Sequence, residues 1–216
     1  MIVIGLTGSI GMGKSNAAAA FRRLGLPVYD ADQAVHRLLA KGGAAVPAVE
    51  AAFPGVVRDG AVDRQALGAR VFADPAALTR LEAILHPLAR RAARRFLLNQ
   101  RRQRRDLVVL DIPLLFETGG EALCDLVAVV SAPRAVQEAR VLARPGMTRE
   151  KMAGVEARQM SDAEKRRRAD VVIDTGLNKH HTLKSLQALV RGLRARIRQP
   201  REAEAGTNCA GRDRHA

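Results

Sequence analysis

Gly8-Ser9-Ile10-Gly11-Met12-Gly13-Lys14-Ser15 is the stretch on which the reading of this chain turns. It matches G-x-x-x-x-G-K-[ST] at every fixed position and reads as a phosphate cradle. Glycines let successive backbone N–H groups curl around an anion with no Cβ in the way, and the helix that follows adds the positive end of its dipole. On this reading Gly8, Gly11, Met12, Gly13, Lys14, Ser15 and Asn16 hold the phosphates of a nucleotide. Lys14 reaches the β- and γ-phosphates, and the Ser15 hydroxyl ligates Mg²⁺. The flanks agree: Met1-Ile2-Val3-Ile4-Gly5-Leu6 is a short apolar run suited to a buried parallel strand, and Asn16 to Leu24 is Ala-rich with Phe21 and Leu24 on one helix face. Asn16 stands where many related loops carry threonine.

Composition bounds the rest. A chain of 216 residues, 47% hydrophobic, can bury a full core as one domain with an insertion, and its length alone is also compatible with two small domains. It holds no run of about 18 apolar residues and no basic leader, so no membrane partner and a cytoplasmic location are expected. Cys124 lies in an apolar stretch and Cys209 in a polar one, which suggests neither a disulfide framework nor a zinc site. The net charge of +14 is concentrated in arginines, with Arg90, Arg91, Arg94, Arg95, Arg101, Arg102, Arg104 and Arg105 crowding one helix and its end. Aromatic residues are only 3%, too few for base-stacking platforms, so the cluster reads as a solvated face that favours small anionic ligands, with no nucleic-acid partner.

Beyond the first helix, Leu26-Pro27-Val28-Tyr29 reads as a second strand running into Asp30-Ala31-Asp32. Acids at the carboxyl end of a parallel strand face the ligand crevice of an open α/β sheet. Asp32 suits a base for an acceptor hydroxyl or a water-mediated hold on Mg²⁺; each aspartate also suits a cap for the helix beginning near Gln33. Residues 40 to 107 leave the strand–helix alternation and read as a helical insertion, with Asp63 a candidate N-cap for Arg64 to Phe72. Leu107-Val108-Val109-Leu110 is an apolar strand, and Asp111 just past it suits Mg²⁺ support or a capping role. Leu126 to Val130 and Ala169 to Asp174 read as further strands, with Thr148 a helix cap between them and Thr175-Gly176 a turn on which an adenine rests. Leu183 to Ile197 is a closing amphipathic helix. The polar stretch 200–216 is expected to be disordered.

The ordered set of segments resembles the dephospho-CoA kinase family. It comprises the opening strand and loop, Asp30-Ala31-Asp32, Leu81-Glu82-Ala83-Ile84-Leu85-His86-Pro87, Asp111-Ile112-Pro113-Leu114-Leu115-Phe116-Glu117, Glu138-Ala139-Arg140-Val141, Arg158-Gln159-Met160 and Arg168 to Asp174. The resemblance covers residue 1 to about 197; Asn16 and the tail depart from it. It implies an α/β P-loop fold, a parallel sheet flanked by helices, with a kinase domain over 1–199. The core would comprise 1–39 and 107–199, the acceptor region about 40–106 and an arginine-bearing lid about 140–168. It further implies transfer of a phosphoryl group from ATP to dephospho-CoA, by a monomer or weak homo-oligomer. Asp32, Lys14 and Arg140 would be catalytic, Asp32, His86 and Leu115 would contact the acceptor, and Ser15 and Asp111 would hold Mg²⁺. His86 is alternatively a buried residue fixing a turn before Pro87, and Glu117 an orienting acid. Arg144, Arg149 and Arg158 are weaker lid candidates. The nearest alternative is a P-loop kinase for a nucleoside, nucleotide or sugar.

Overall fold

The computed structural model describes residues 1–71 and 74–207, with side chains up to residue 198. In chain order the elements are β1 (Ile2–Thr7), α1 (Lys14–Arg23), β2 (Val28–Asp30), α2 (Ala31–Leu39), α3 (Val46–Ala52), β3 (Val57–Arg58), β4 (Ala61–Val62), α4 (Arg64–Val71) and α5 (Pro75–Arg102). There follow β5 (Leu107–Asp111), a 3₁₀ turn (Gly120–Leu123), β6 (Leu126–Ser131), α6 (Arg134–Leu142), α7 (Arg149–Glu156), α8 (Asp162–Arg168), β7 (Val171–Asp174) and α9 (Lys179–Thr207). The chain forms two compact units: Met1–Val28 with Arg104–Ala216, and Tyr29–Gln103.

The main sheet has five strands in the order β2-β5-β1-β6-β7, of which β5, β1, β6 and β7 belong wholly to the first unit. β1 pairs in parallel with β5 and β6, and β6 with β7. A parallel sheet needs both faces covered, which is why these strands are near-continuous apolar runs. Ile4, Leu6, Val109, Ala128, Val130 and Ile173 pack with Phe21 of α1 and with Leu186 and Val190 of α9 in one buried cluster. Complete burial of Phe21 alone is worth about 1.5–3 kcal/mol of transfer free energy. Register matters to the site: Leu6 stands opposite Asp111, so the phosphate loop and that aspartate leave the sheet side by side.

On the same sheet Gly5 admits Cys124, whose Sγ would lie 2.7 Å from a Cβ added at that glycine. Burial pushes the Cys124 thiol up to about 12, with Asp125 and Glu121 adding to the shift. A raised thiol pKa means that the fold prefers the protonated form, so stability is lost as pH climbs past the ordinary cysteine value of about 8.5. Native protein at pH 8 is therefore expected to leave the Cys124 peptide unalkylated by iodoacetamide, as read by mass spectrometry, and denatured protein to label it. Equal labelling rates in the two states would contradict this environment.

The second unit has its own core, in which Leu39, Val49, Phe53, Val56, Val62, Leu67, Ala77 and Leu81 are buried together. It claims α2, which the sequence reading assigns to the kinase core, because Val35, Leu38 and Leu39 pack into this cluster. A small antiparallel hairpin, β3 with β4, interrupts the helices. Its turn residues Asp59 and Gly60 both have positive φ, 52° and 79°, as a two-residue hairpin of right-handed twist demands. α5 opens on an Asp74 cap, its carboxylate accepting from the N–H groups of Ala76 and Ala77. The helix then runs unbroken through Pro87, so no turn precedes that proline. Packing on α2, α3 and α4 outweighs the missing N–H. The arginines from Arg90 to Arg105 are all exposed, in keeping with a solvated face.

α9 begins before Leu183 and continues past Ile197 to Thr207, into the stretch read as a disordered tail. Arg, Glu and Ala at 201–205 are strong helix formers. Phe72 and residues 208–216, Cys209 among them, lie outside the described residues. Among the described residues no helix is long and apolar enough to cross a membrane.

Candidate functional site

The phosphate loop is seated on its neighbours through its glycines. A Cβ at Gly8 would come within 2.8 Å of the Val130 carbonyl on β6, and one at Gly11 within 3.0 Å of the Gln137 carbonyl on α6. Gly11 and Gly13 also have φ of 77° and 84°, a region that side chains strain to enter. The Thr175 hydroxyl, just past β7, donates to the Met12 carbonyl at 2.8 Å and fastens the loop from below. The N–H groups of Gly11, Gly13, Lys14 and Ser15 find no partner among the described residues and stand at the N-terminus of α1, free to bind an anion. Met12 is a correction to the expected set. Its N–H is taken by the Ser9 carbonyl at 3.1 Å and its side chain is buried in the core, so it braces the loop instead of touching phosphate.

Lys14 Nζ lies 2.7 Å from Oδ1 of Asp111, with side-chain exposures of 17% and 5%. The group expected on the β- and γ-phosphates and the one expected to support Mg²⁺ thus form a largely buried ion pair. Beside them Ser15 and Asn16 are exposed at the start of α1. A hydroxyl and a carboxylate are hard oxygen donors of the kind Mg²⁺ takes. Among the described residues no group of three or more His, Cys, Asp or Glu side chains could hold a metal ion by itself.

Arg140 reaches from α6 to the underside of the loop. Its Nη2 donates to the Thr175 carbonyl at 2.6 Å and its Nη1 to the Thr175 hydroxyl at 3.1 Å. With Asn16, Thr175, Lys179, His180 and Thr182 it lines a cavity of about 260 Å³ beside α1. On the far side of the loop, a cleft of about 390 Å³ is walled by Ser9, Arg134, Gln137, Glu156, Gln159 and Asp162. Around its rim, hydrogen bonds from Arg134 hold the Glu138 carboxyl below its usual range, and Arg149 joins the same carboxylate at 3.2 Å. Arg149 is thereby committed to the protein surface.

Glu117, expected as an orienting acid, lies just beyond Leu115 and Phe116 on the segment after β5. It accepts from the Met160 N–H at 2.8 Å and pairs at 3.0 Å with Lys165, whose side chain is fully buried. Leu115 is a second correction. It is completely buried among Phe116, Val127 and Val129 and presents no surface to an acceptor.

In the second unit the two aspartates separate. Asp30 is the N-cap of α2, its Oδ1 accepting from the Gln33 N–H at 2.9 Å. Asp32 lies exposed in the first turn, with no hydrogen-bond or ion-pair partner among the described residues. Asp30→Ala is expected to destabilise by about 1 kcal/mol while Asp32→Ala leaves the unfolding midpoint unchanged, measured by urea titration. Equal losses would remove the distinction. His86 is half-buried inside α5. The sequence reading named no role for Gln137 or Lys165 and did not use Thr175 as a loop fastener.

A parallel sheet of this strand order, with a G-x-x-x-x-G-K-S loop after β1 and a lysine–aspartate pair joining the start of α1 to the end of β5, defines a P-loop kinase. The family model for dephospho-CoA kinase matches residues 2–180, and the chain belongs to that family. Among its relatives, the dephospho-CoA kinase of Paramagnetospirillum magneticum is 70% identical over 77% of this chain and 78% of its own length. That of Mesorhizobium japonicum is 57% identical over 90% and 98%. A Thermus thermophilus protein of known crystal structure, 39% identical, superposes with a TM-score of 0.73 over 89% of this chain and 97% of its own. Dephospho-CoA kinase from Campylobacter jejuni, at 21% identity, shares the fold with a TM-score of 0.63 over 88% and 96%.

Proposed function

We propose that the chain transfers the γ-phosphoryl group of ATP to the ribose 3′-hydroxyl of dephospho-CoA, giving coenzyme A and ADP, the last step of coenzyme A synthesis. Family membership supports the acceptor, and one structural observation carries the chemistry. That observation is the set of N–H groups of Gly11, Gly13, Lys14 and Ser15 with no partner among the described residues, set beside the Lys14–Asp111 pair. Phosphoryl transfer leaves a protein little covalent work, so catalysis lies in positioning and charge.

The loop N–H groups bind the β- and γ-phosphates. Lys14 turns from Asp111 to the γ-phosphate and stabilises the charge that spreads over its oxygens. Ser15 and Asp111 are the residues that would hold Mg²⁺. Held there, the ion would supply positive charge to offset the negative charge that develops on the phosphates. Arg140, held by Thr175, walls the cavity that takes the adenosine. It acts on the transferring group only by giving up those bonds. Asp32 accepts the proton of the 3′-hydroxyl as oxygen bonds to phosphorus and the bond to the ADP oxygen breaks, and His86 contacts the acceptor. The α6–α8 segment carries the lid, which excludes water from the γ-phosphate.

Incubation with ATP, Mg²⁺ and dephospho-CoA is expected to yield a product heavier by one phosphate, with phosphorus–proton coupling to the ribose 3′ position. Phosphate found at another hydroxyl would overturn the acceptor geometry.

A further inference from the structure

The tip of the phosphate loop is gripped at one residue, Ile10, through both of its backbone polar groups. Gln159, in the segment between α7 and α8, accepts the Ile10 N–H through Oε1 at 3.0 Å. Gln137, on α6 and buried, donates from Nε2 to the Ile10 carbonyl at 2.9 Å. We propose that Gln137 and Gln159 are positioning residues for ATP: they fix the two peptide groups that flank the Ile10 Cα, Ser9–Ile10 and Ile10–Gly11, so that the N–H groups of Gly11, Gly13, Lys14 and Ser15 converge on the phosphates.

Three observations carry this. The polarity of Gln137 has only one solution, because Oε1 accepts from Arg134 at 3.0 Å and Nε2 serves the Ile10 carbonyl and, at 3.1 Å, a Glu156 oxygen. Guanidinium only donates, and carbonyl and carboxylate only accept, so an amide is the one side-chain group that fits. Gln159 is itself anchored, because the next residue, Met160, gives its N–H to Glu117, which is paired with buried Lys165. The side chain next to the grip adds no hold of its own: the hydroxyl of neighbouring Ser9 is buried and takes no hydrogen bond among the described residues. Gly11 follows with positive φ, and the space for its Cβ is closed by Gln137 and Val141. Rotation of the Ile10–Gly11 peptide, which carries the Gly11 N–H, would swing this turn and the N–H groups beyond it.

The proposal rests on the loop being the ATP site, and the experiment separates the two. ATP binding is measured by calorimetry, and the KM for dephospho-CoA by initial rates, on wild type, Gln159→Met, Gln159→Glu and Gln137→Glu, each with its thermal midpoint. Failure of wild type to bind ATP would sink the loop reading itself. With wild-type binding established, Gln159→Met is expected to weaken ATP about tenfold, the worth of one hydrogen bond, and to change the KM for dephospho-CoA less than twofold. Gln159→Glu keeps the acceptor and is expected to recover most of that loss when compared with wild type at 0.5 M salt, where added charge is screened. Gln137→Glu, if folded, loses the donor and faces Glu156, so it is expected to weaken ATP at both low and high salt. Unchanged ATP affinity in Gln159→Met, equal rises in both constants, or no recovery in Gln159→Glu would overturn the proposal. Gln159 is partly exposed, so its variants decide the matter even if Gln137→Glu fails to fold.

Discussion

Lys14→Ala is expected to lower kcat by at least 10²–10³-fold, the usual loss when one preorganised donor to a transition-state charge is removed. It should also lower stability. Lys14 is the cation of a nearly buried pair, and its removal leaves the Asp111 carboxylate in a low-dielectric site without that partner. Breaking such a pair from one side costs on the order of 3–5 kcal/mol when burial is complete, and less here because Lys14 keeps some exposure. The double variant Lys14→Ala/Asp111→Asn removes the stranded charge, so its unfolding midpoint is expected to recover while its activity stays low. This separates the two roles of the lysine. A single variant with normal turnover would refute its catalytic role, and a double variant no more stable than the single would refute the charge argument.

Asp32→Asn is expected to lower kcat by about 10²–10⁴-fold, the range for loss of a general base, with the KM for dephospho-CoA within a few-fold of wild type. Asparagine keeps the size and hydrogen-bonding reach of the side chain and removes its ability to take the proton. Because Asp32 is exposed and Asp30 is the residue that caps α2, the substitution should leave the unfolding midpoint where it was. Rapid-quench measurement of the first turnover reads the chemical step directly. A first turnover as fast as wild type would remove Asp32 from the proton transfer, and a large fall in stability would show that the loss of rate had another cause.

What could be read in the sequence follows a physical pattern. The loop, β1, β5 and β6 were legible because glycine spacing and continuous apolar runs are local signals of a phosphate cradle and a two-side-covered sheet. The caps at Asp63 and Thr148 were legible for the same reason, and both side chains accept from backbone N–H groups two or three residues on. The Asp59-Gly60 hairpin was equally local, and the sequence reading passed over it. Pro87 misled because the proline rule is local, whereas the helix through it is held by the packing of the second unit. Leu115 misled in the opposite way: its place in a motif suggested a contact, and its burial depends on Val127 and Val129, which are distant in sequence. The glycine spacing does not single out Met12 within the cradle, whereas the turn back to Ser9 uses its N–H.

The two glutamines at Ile10 lie 127 and 149 residues from it, and no local pattern pairs them. The one available hint is that Gln137 sits one helical turn before buried Val141, a polar residue on an inward face. The same holds for Lys165, whose burial against Glu117 shows only once β5 and α8 are folded together.

The central claim, that this cradle serves a kinase whose acceptor is dephospho-CoA, is tested most directly by the initial rate of ADP release with ATP and Mg²⁺. Dephospho-CoA, adenosine, AMP and no acceptor are run side by side. Release that depends on dephospho-CoA and exceeds every other condition by at least about a hundredfold is the predicted result. Comparable release with adenosine or AMP, or none with dephospho-CoA from folded protein, would contradict it.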